Sequence, residues 1–368
     1  MTEYADESGT LDADILHVIH AWHRHGTGLD DDAFDRLALR ILAYQLRYNA
    51  PYAAYCAARG VTLDALPSHW NAIPPAPSAA FKDATLTTFN MRRAALRFQT
   101  SGTTQGRSGL HYMETAALYD AALLAGFDRA MLADAARPRF FNVVPNPHER
   151  PQSSLGYMMG RVSAERGDRE TGWYLRGDEL LFTAFCADLE AAIGDAAVVC
   201  IAGTAFGLLE IVDLLARQER RYTLPAGSRI METGGFKGRT REVSREDLYA
   251  QLARRFGIDS CAIVAEYGMT ELTSQYYDTA ASRSSNVRVK TGPPWLRARV
   301  VDVSGARVPP GAAGALVHCD LANRSSVVAV ATEDLAYETN EGFVLLGRDS
   351  EAPLRGCSLD AEQLATRE

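Results

Sequence analysis

Residues 98–109 read Phe-Gln-Thr-Ser-Gly-Thr-Thr-Gln-Gly-Arg-Ser-Gly, three glycines and five hydroxyl side chains in twelve positions. Directly after a strand-like run, such a stretch offers many N–H and O–H donors and little bulk. Those are the requirements for cradling a polyphosphate. No Gly-Lys-Ser/Thr closes it, so it is not the Walker loop, and its glycine spacing is not the dinucleotide fingerprint. A flexible surface loop of small polar residues would have the same composition. Other chemistry is less well supported. His17 and His20 stand three apart on a helical pattern, but no Cys or carboxylate completes a metal shell there, and a polar helix face explains them better. The six cysteines (56, 186, 200, 261, 319, 357) contain no Cys-x-x-Cys, which disfavours a zinc site or a disulfide framework and fits a reducing cytoplasm.

The rest of the chain supplies elements to position such a loop. Its 368 residues allow two domains or one large α/β unit. A net charge of −8 argues against non-specific nucleic-acid binding, which needs a basic face. No stretch approaches the roughly eighteen uninterrupted apolar residues of a membrane span, and the acidic start, Met1 to Asp14, does not read as a signal peptide. Helical patterns cover Leu11–His25, Asp30–Asn49 and Pro51–Arg59, with Gly60 as a stop. Trp70–Pro77 is expected to be extended, because residues before proline favour β or polyproline geometry. From Leu96 the pattern alternates. Strands are expected at 96–100, 139–144, 197–202, 228–232 and 261–265. Helices are expected at 115–132, 153–162, 180–193, 208–218 and 245–256. Strand, polar Gly loop and helix in repetition predict a mostly parallel sheet, with ligands bound beyond the carboxyl ends of its strands. The loops 100–109, 145–156, 203–207, 233–238 and 266–271 would converge on one crevice. After Thr279 short β runs at 287–289, 297–303, 315–319, 327–332 and 343–346 predict a small β subdomain. The expected organisation is a helical N-terminal layer (1–95), an α/β core (96–280), the β subdomain (281–346) and a tail (347–368).

Four motifs stand in the order and rough spacing of the acyl- and aryl-adenylate-forming superfamily: Thr100-Ser101-Gly102-Thr103-Thr104, Glu266-Tyr267-Gly268-Met269-Thr270-Glu271, Thr332-Glu333-Asp334 and Gly347-Arg348-Asp349. Within it the chain more closely resembles the acyl-protein synthetase family of the bacterial luciferase system. That resemblance adds Tyr44-Gln45 with Asn49, Ile73-Pro74 with Phe81-Lys82, Thr233-Gly234-Gly235-Phe236-Lys237-Gly238-Arg239, and Arg355-Gly356-Cys357-Ser358-Leu359. It implies the large domain of an adenylate-forming enzyme, with mostly parallel sheets flanked by helices. It also implies ATP and Mg²⁺ as cofactors and a reaction in which a carboxylate attacks the α-phosphate of ATP.

Residue by residue, the resemblance assigns Ser101, Gly102, Thr103 and Thr104 to the phosphate loop, Thr270 to the α-phosphate and Glu271 to Mg²⁺. It sets Tyr267 and Gly268 against adenine beside Gly234 and Gly235, Asp334 on the ribose hydroxyls and Arg348 in support. The chemistry is coherent, because a carboxylate and a triphosphate repel unless donors and a cation intervene. Two departures stand out. Gln105 occupies the usual Gly of the phosphate loop and Ser108 the usual Lys, so Arg107, a forked donor suited to phosphate, would supply the charge. Only nineteen residues follow Asp349 where most of the superfamily carries a mobile lid domain with a catalytic Lys. The lid is therefore expected to be absent or reduced to a short tail. Cys357 then matches the thiol that accepts the acyl group in the resembled enzymes, with Arg355 to favour the thiolate.

The strand-end residues His148, Ser154, Gly203 and Phe206, with Met269, are expected to border the acid. Phe206, Phe236 and Tyr157 would suit a fatty acyl chain. The expected activity is activation of a fatty acid as acyl-AMP and transfer to a protein thiol, with an acyl reductase or carrier protein as partner. A stand-alone ligase serving a carrier protein or a small amine is the alternative, and a non-catalytic nucleotide-binding module the third reading.

Overall fold

A computed structural model describes residues 2–100, 108–132, 137–168, 170–234, 243–285 and 287–348. Its helices are α1 (Thr2–His25), α2 (Asp31–Tyr48), α3 (Ala50–Ala57), α4 (Ala117–Met131), α5 (Ser154–Arg166), α6 (Phe182–Gly194), α7 (Ala205–Arg217) and α8 (Arg245–Phe256). Its strands run from β1 (Ala76–Pro77), β2 (Leu96–Gln99), β3 (Leu110–Met113), β4 (Arg139–Val143) and β5 (Gly172–Trp173) to β6 (Leu175–Arg176) and β7 (Glu179–Leu180). They continue with β8 (Val199–Thr204), β9 (Arg229–Thr233), β10 (Ile263–Tyr267), β11 (Tyr276–Asp278), β12 (Val289–Thr291), β13 (Leu296–Val301), β14 (Ala313–Asp320), β15 (Ala329–Glu338) and β16 (Phe343–Arg348). These elements divide into two compact units, residues 1–125, 269–275 and 289–368 in the first and 126–268 and 276–288 in the second.

The second unit is the parallel sheet. Its strands run β11-β10-β9-β8-β4-β5, with β10, β9, β8, β4 and β5 mutually parallel and β11 antiparallel at the edge. The apolar runs of β4, β8, β9 and β10 are buried along their length, as strands covered on both faces must be. Phe141, Val143, Ile201, Ile230 and Ile263 meet Phe185, Leu189, Leu208, Ile211, Leu252 and Phe256 of α6, α7 and α8 in one core. On the other face Asn142 donates to Ser163 Oγ of α5 at 3.1 Å, and Phe140 meets Phe127 of α4. The predicted alternation of strand, loop and helix is present from β4 to β10, whereas the expected first strand, 96–100, lies outside the parallel sheet, as β2 of a two-stranded antiparallel hairpin with β3.

The first unit holds the three N-terminal helices and an antiparallel sheet, β13-β14-β15-β16-β12, with β1 parallel to the first half of β15. Asp30 caps α2 by accepting from Ala33 N at 2.7 Å, and Asn49 ends α2 and caps α3. Gly60, at φ +76°, ends the helical run as predicted. No described helix is long and apolar enough to cross a membrane.

Three local expectations change. α1 begins nine residues earlier than the amphipathic pattern, because Tyr4 packs on Tyr44 and Tyr48 and donates to Glu114 at 2.7 Å. Trp70–Ala72 forms a 3-10 turn rather than extended chain: Asp35 accepts from Trp70 N at 2.7 Å while the indole packs edge-on against Phe34. The proline restraint takes hold only at Ile73, whose ψ is 125°. α7 starts at Ala205, inside the expected loop, because Thr204 accepts from Gly207 N and caps it.

Candidate active site

The glycine- and hydroxyl-rich run is carried on a hairpin. β2 and β3 pair antiparallel from Leu96 opposite Met113 to Gln99 opposite Leu110. Thr100 extends the stem: its N–H donates to Gly109 O at 2.9 Å, and its hydroxyl accepts from Gly109 N at 2.8 Å. Gly109 is required sterically, since a Cβ there would lie 2.7 Å from both the carbonyl carbon and oxygen of Phe81. The Phe81-Lys82 pair thus forms the floor under the base of the run. Ser101, Gly102, Thr103, Thr104 and Arg107 lie outside the described residues, as do Gly235 and Cys357.

Residues 269–275, which hold Met269, Thr270 and Glu271, belong to the same unit as this stem. They have no ladder partner, and side chains hold their backbone instead. His111 of β3 donates from Nδ1 to Thr270 O at 2.7 Å. Asn323 Nδ2 donates to Glu271 O at 2.9 Å, and Thr273 Oγ1 donates to Asn323 Oδ1. Asp320 accepts from Thr273 N and from the Ser274 hydroxyl, both at 2.9 Å. Burial pushes the Asp320 carboxyl up to about 6 against these bonds, which favour its charged form. Glu271 is itself buried, and Thr270 and Met269 are half-buried.

Asp334 and Arg348 face each other across β15 and β16 as register partners, with Arg348 Nε donating to Asp334 Oδ1 at 3.0 Å. Asp334 is buried, whereas the Arg348 side chain is 40% exposed, so the guanidinium reaches a buried carboxylate from the surface. On neighbouring β14, His318 is fully buried, and burial lowers its pKa to about 4.

In the second unit the strand-end residues align. Val143, Gly203, Glu232 and Ala265 are successive register partners across β4, β8, β9 and β10, so the chain segments that follow these parallel strands emerge at one end. Gly234 follows β9 at φ +75°, with open space where a Cβ would be. Tyr267 ends β10, buried and tilted against Tyr276 at 6.0 Å, with Gly268 exposed beyond it. Glu266 and Thr233, side by side in register, are joined by a hydrogen bond from the hydroxyl to the carboxylate. Ser154 opens α5 behind the cap Ser153, Gly203 is packed on Leu208, and Phe206 sits half-buried in the first turn of α7. His148 is exposed and borders a cavity of about 740 Å³, along with Pro147, Gly160, Ser163 and Trp173.

Sequence reasoning missed His111, Asp320 and Asn323. No motif marks them, because each acts on residues at least 46 positions away. Gln45 and Asn49, quoted only for the resemblance, turn out to brace this same region: Gln45 Nε2 donates to the carbonyls of Asn323 and Arg324, and Asn49 Nδ2 to Ser326 O. Among the described residues no group of three or more His, Cys, Asp or Glu is placed to hold a metal. A single carboxylate such as Glu271 nevertheless suits Mg²⁺, which takes one or two carboxylates and fills its shell with phosphate oxygens and water.

The family model described as acyl-protein synthetase, LuxE, matches residues 28–365. The long-chain-fatty-acid–luciferin-component ligase of Vibrio harveyi is 21% identical over 341 residues, 88% of this chain and 86% of that one. Among solved structures, a 2-hydroxyisobutyryl-CoA ligase in complex with 2-HIB-AMP and CoA superposes with a TM-score of 0.65 at 13% identity, covering 89% of this chain and 76% of that one. The McyG A-PCP complex with phenylalanyl-adenylate and ATP-bound MatB from Rhodopseudomonas palustris each give 0.51, at 17% and 18% identity. Each of these two covers 71% of this chain, which spans only about half of theirs (48% and 49%). At these identities the likeness establishes the fold.

Proposed function

Because the chain belongs to the LuxE acyl-protein synthetase family, we propose that it is an ATP-dependent ligase that activates a carboxylic acid as its acyl-adenylate and passes the acyl group to a protein thiol. The observation that carries this reading is the family match over residues 28–365, which contains every motif read from the sequence. The named relative from Vibrio harveyi favours a long-chain fatty acid as the substrate.

In this reading an oxygen of the substrate carboxylate attacks the α-phosphorus of ATP and pyrophosphate leaves. Thr270 donates to the α-phosphate, and the 101–104 loop and Arg107 hold the outer phosphates. Glu271 would hold a Mg²⁺ ion, which when bound would offset the charge between the two anions. Asp334 accepts from the ribose hydroxyls and Arg348 orients Asp334. Tyr267 lies against adenine, with Gly268, Gly234 and Gly235 giving close backbone approach. His148, Ser154, Gly203, Phe206 and Met269 border the acid. In the second step a thiolate attacks the acyl carbonyl, the mixed anhydride breaks and AMP leaves. Cys357 is the proposed nucleophile, en route to an acyl reductase or carrier protein.

The test is pyrophosphate release with ATP, Mg²⁺ and a panel of carboxylic acids, followed by intact-mass measurement. Acid-dependent release and a covalent acyl mass that is lost in Cys357→Ala are expected. Release with acyl transfer but no covalent mass on the chain would move the reading to a ligase that serves a carrier protein or a small amine. No release with any acid would refute adenylation.

A further inference from the structure

The buried imidazole of His111 has no role in the reading above, yet it joins two segments to which that reading gives chemistry. It lies on β3, two residues after Gly109, in register with Phe98 on the other side of the hairpin. Its Nδ1 is 2.7 Å from the carbonyl of Thr270, and its ring meets Phe81 edge-on at 5.6 Å. Only 1% of the residue is exposed. A carbonyl can only accept, so Nδ1 carries the proton and Nε2 is the bare nitrogen. Nε2 is buried with no hydrogen-bond partner among the described residues. An orphaned buried acceptor of this kind costs about 1–3 kcal/mol. An apolar residue would avoid that cost, so the choice of histidine calls for a reason beyond filling space.

We propose that His111 is a positioning residue for adenylate formation: it clamps the Thr270 peptide to the β2–β3 stem at Gly109, so that the stem and the Thr270–Glu271 pair are held as one body. The inference rests on the adenylation reading of these two segments. Three contacts make the clamp. The Phe81 backbone closes on Gly109, the Phe81 ring closes on His111, and His111 closes on Thr270. From the other side Asn323 holds the next carbonyl, that of Glu271, at 2.9 Å. Two consecutive carbonyls in a stretch without ladder bonds are thus fixed by side chains, and the peptide between them cannot rotate without breaking one bond. Burial lowers the His111 pKa to about 4, which keeps the ring neutral and the proton on Nδ1 at ordinary pH. Transition-state stabilisation depends on donors held in place before charge develops, and misplacement by about 1 Å can cost on the order of a hundredfold in rate.

The test compares His111→Leu, which removes the donor, with His111→Asn, whose amide nitrogen replaces Nδ1. It reads acid-dependent ATP–pyrophosphate exchange and deuterium uptake in the peptide spanning 268–275. His111→Leu is expected to lower kcat by about 10- to 100-fold, as loss of an orienting partner typically does, with little change in the KM for ATP. Residues 268–275 are expected to exchange faster in that variant. His111→Asn is expected to restore both readouts. A His111→Leu variant with wild-type kcat and wild-type uptake would overturn the clamp. So would equal losses in both variants, which would mark a packing role. If the wild-type chain activates no acid, the adenylation reading fails, and the uptake comparison alone decides whether the clamp exists.

Discussion

The pH dependence of stability gives a direct test of the buried chemistry of the first unit, and His318 isolates it. This residue sits on β14 between Ala298 and Val330, fully buried, its ring 6.3 Å from that of Phe343. Burial lowers its pKa from 6.5 to about 4, although the charge of Asp334 pulls the other way. The folded chain therefore stays neutral at this site down to about pH 4, while the unfolded chain takes a proton below about 6.5. The stability difference is nil above that value and grows as pH falls, at up to about 1.4 kcal/mol per pH unit, levelling near pH 4 at about 3 kcal/mol lost. His111 carries the same shift. Asp320, raised from 3.8 to about 6, acts oppositely: folding holds its proton between those values, so its contribution falls as pH rises. Comparison of wild type with His318→Gln in urea at fixed pH values between 4 and 7 cancels the other two groups. Relative to the variant, wild type is expected to lose about 2–3 kcal/mol over this range. A difference that stays constant across the range would refute the claim that His318 is held neutral by burial.

Two further outcomes test the geometry around the nucleotide motifs. Gly109→Ala places a methyl 2.7 Å from the Phe81 carbonyl carbon and oxygen, so the urea midpoint should fall by an amount equivalent to about 1–3 kcal/mol. Gly28→Ala, where the methyl meets nothing, should change stability by less than about 0.5 kcal/mol. Arg348→Ala removes the charge-assisted bond to Asp334, and the KM for ATP in pyrophosphate exchange should rise about tenfold, equivalent to about 1.4 kcal/mol. An unchanged KM would detach this pair from ribose recognition.

Local pattern carried much of the fold. β4, β8, β9 and β10 were legible because strands buried on both faces are mostly apolar, and a glycine or proline at or just past each end marks where the strand stops. α8 matches its predicted bounds, Arg245–Phe256, because both ends are written in local chemistry: Ser244 caps the first turn and Gly257 takes the left-handed conformation at the last. The hairpin partner β3 was not legible. Leu-His-Tyr-Met alternates poorly, and one of its two buried members is the polar His111, which fits an interior only because a carbonyl from residue 270 meets it. The early start of α1 was hidden in the same way, since Tyr4 is explained by Tyr44, Tyr48 and Glu114 and not by its neighbours in sequence.

The candidate site divides along the same line. Groups that the proposed function sets against nucleotide, such as Thr270, Glu271 and Asp334, could be singled out from the sequence because a ligand's chemistry constrains residue type and local spacing together. Groups that hold those residues in place are constrained only by where a donor or acceptor must point, and Asn, Asp, His and Gln can each satisfy that from any part of the chain. The backbone of 270–274 shows the consequence. Its polar groups cannot pair in a ladder, so burial obliges them to find side-chain partners. Those partners come from β3, from the end of β14 and from the turn after it. The Asp320–Ser326 run reads in sequence as a polar turn. In the fold it is bonded on both sides: Asp320 and Asn323 hold 271–274, while Gln45 and Asn49 hold the run itself. A substitution in that run should therefore act on Glu271 without replacing it, and an Asn323 variant should lower kcat by the same route as His111→Leu, through the carbonyl next to the one that His111 holds.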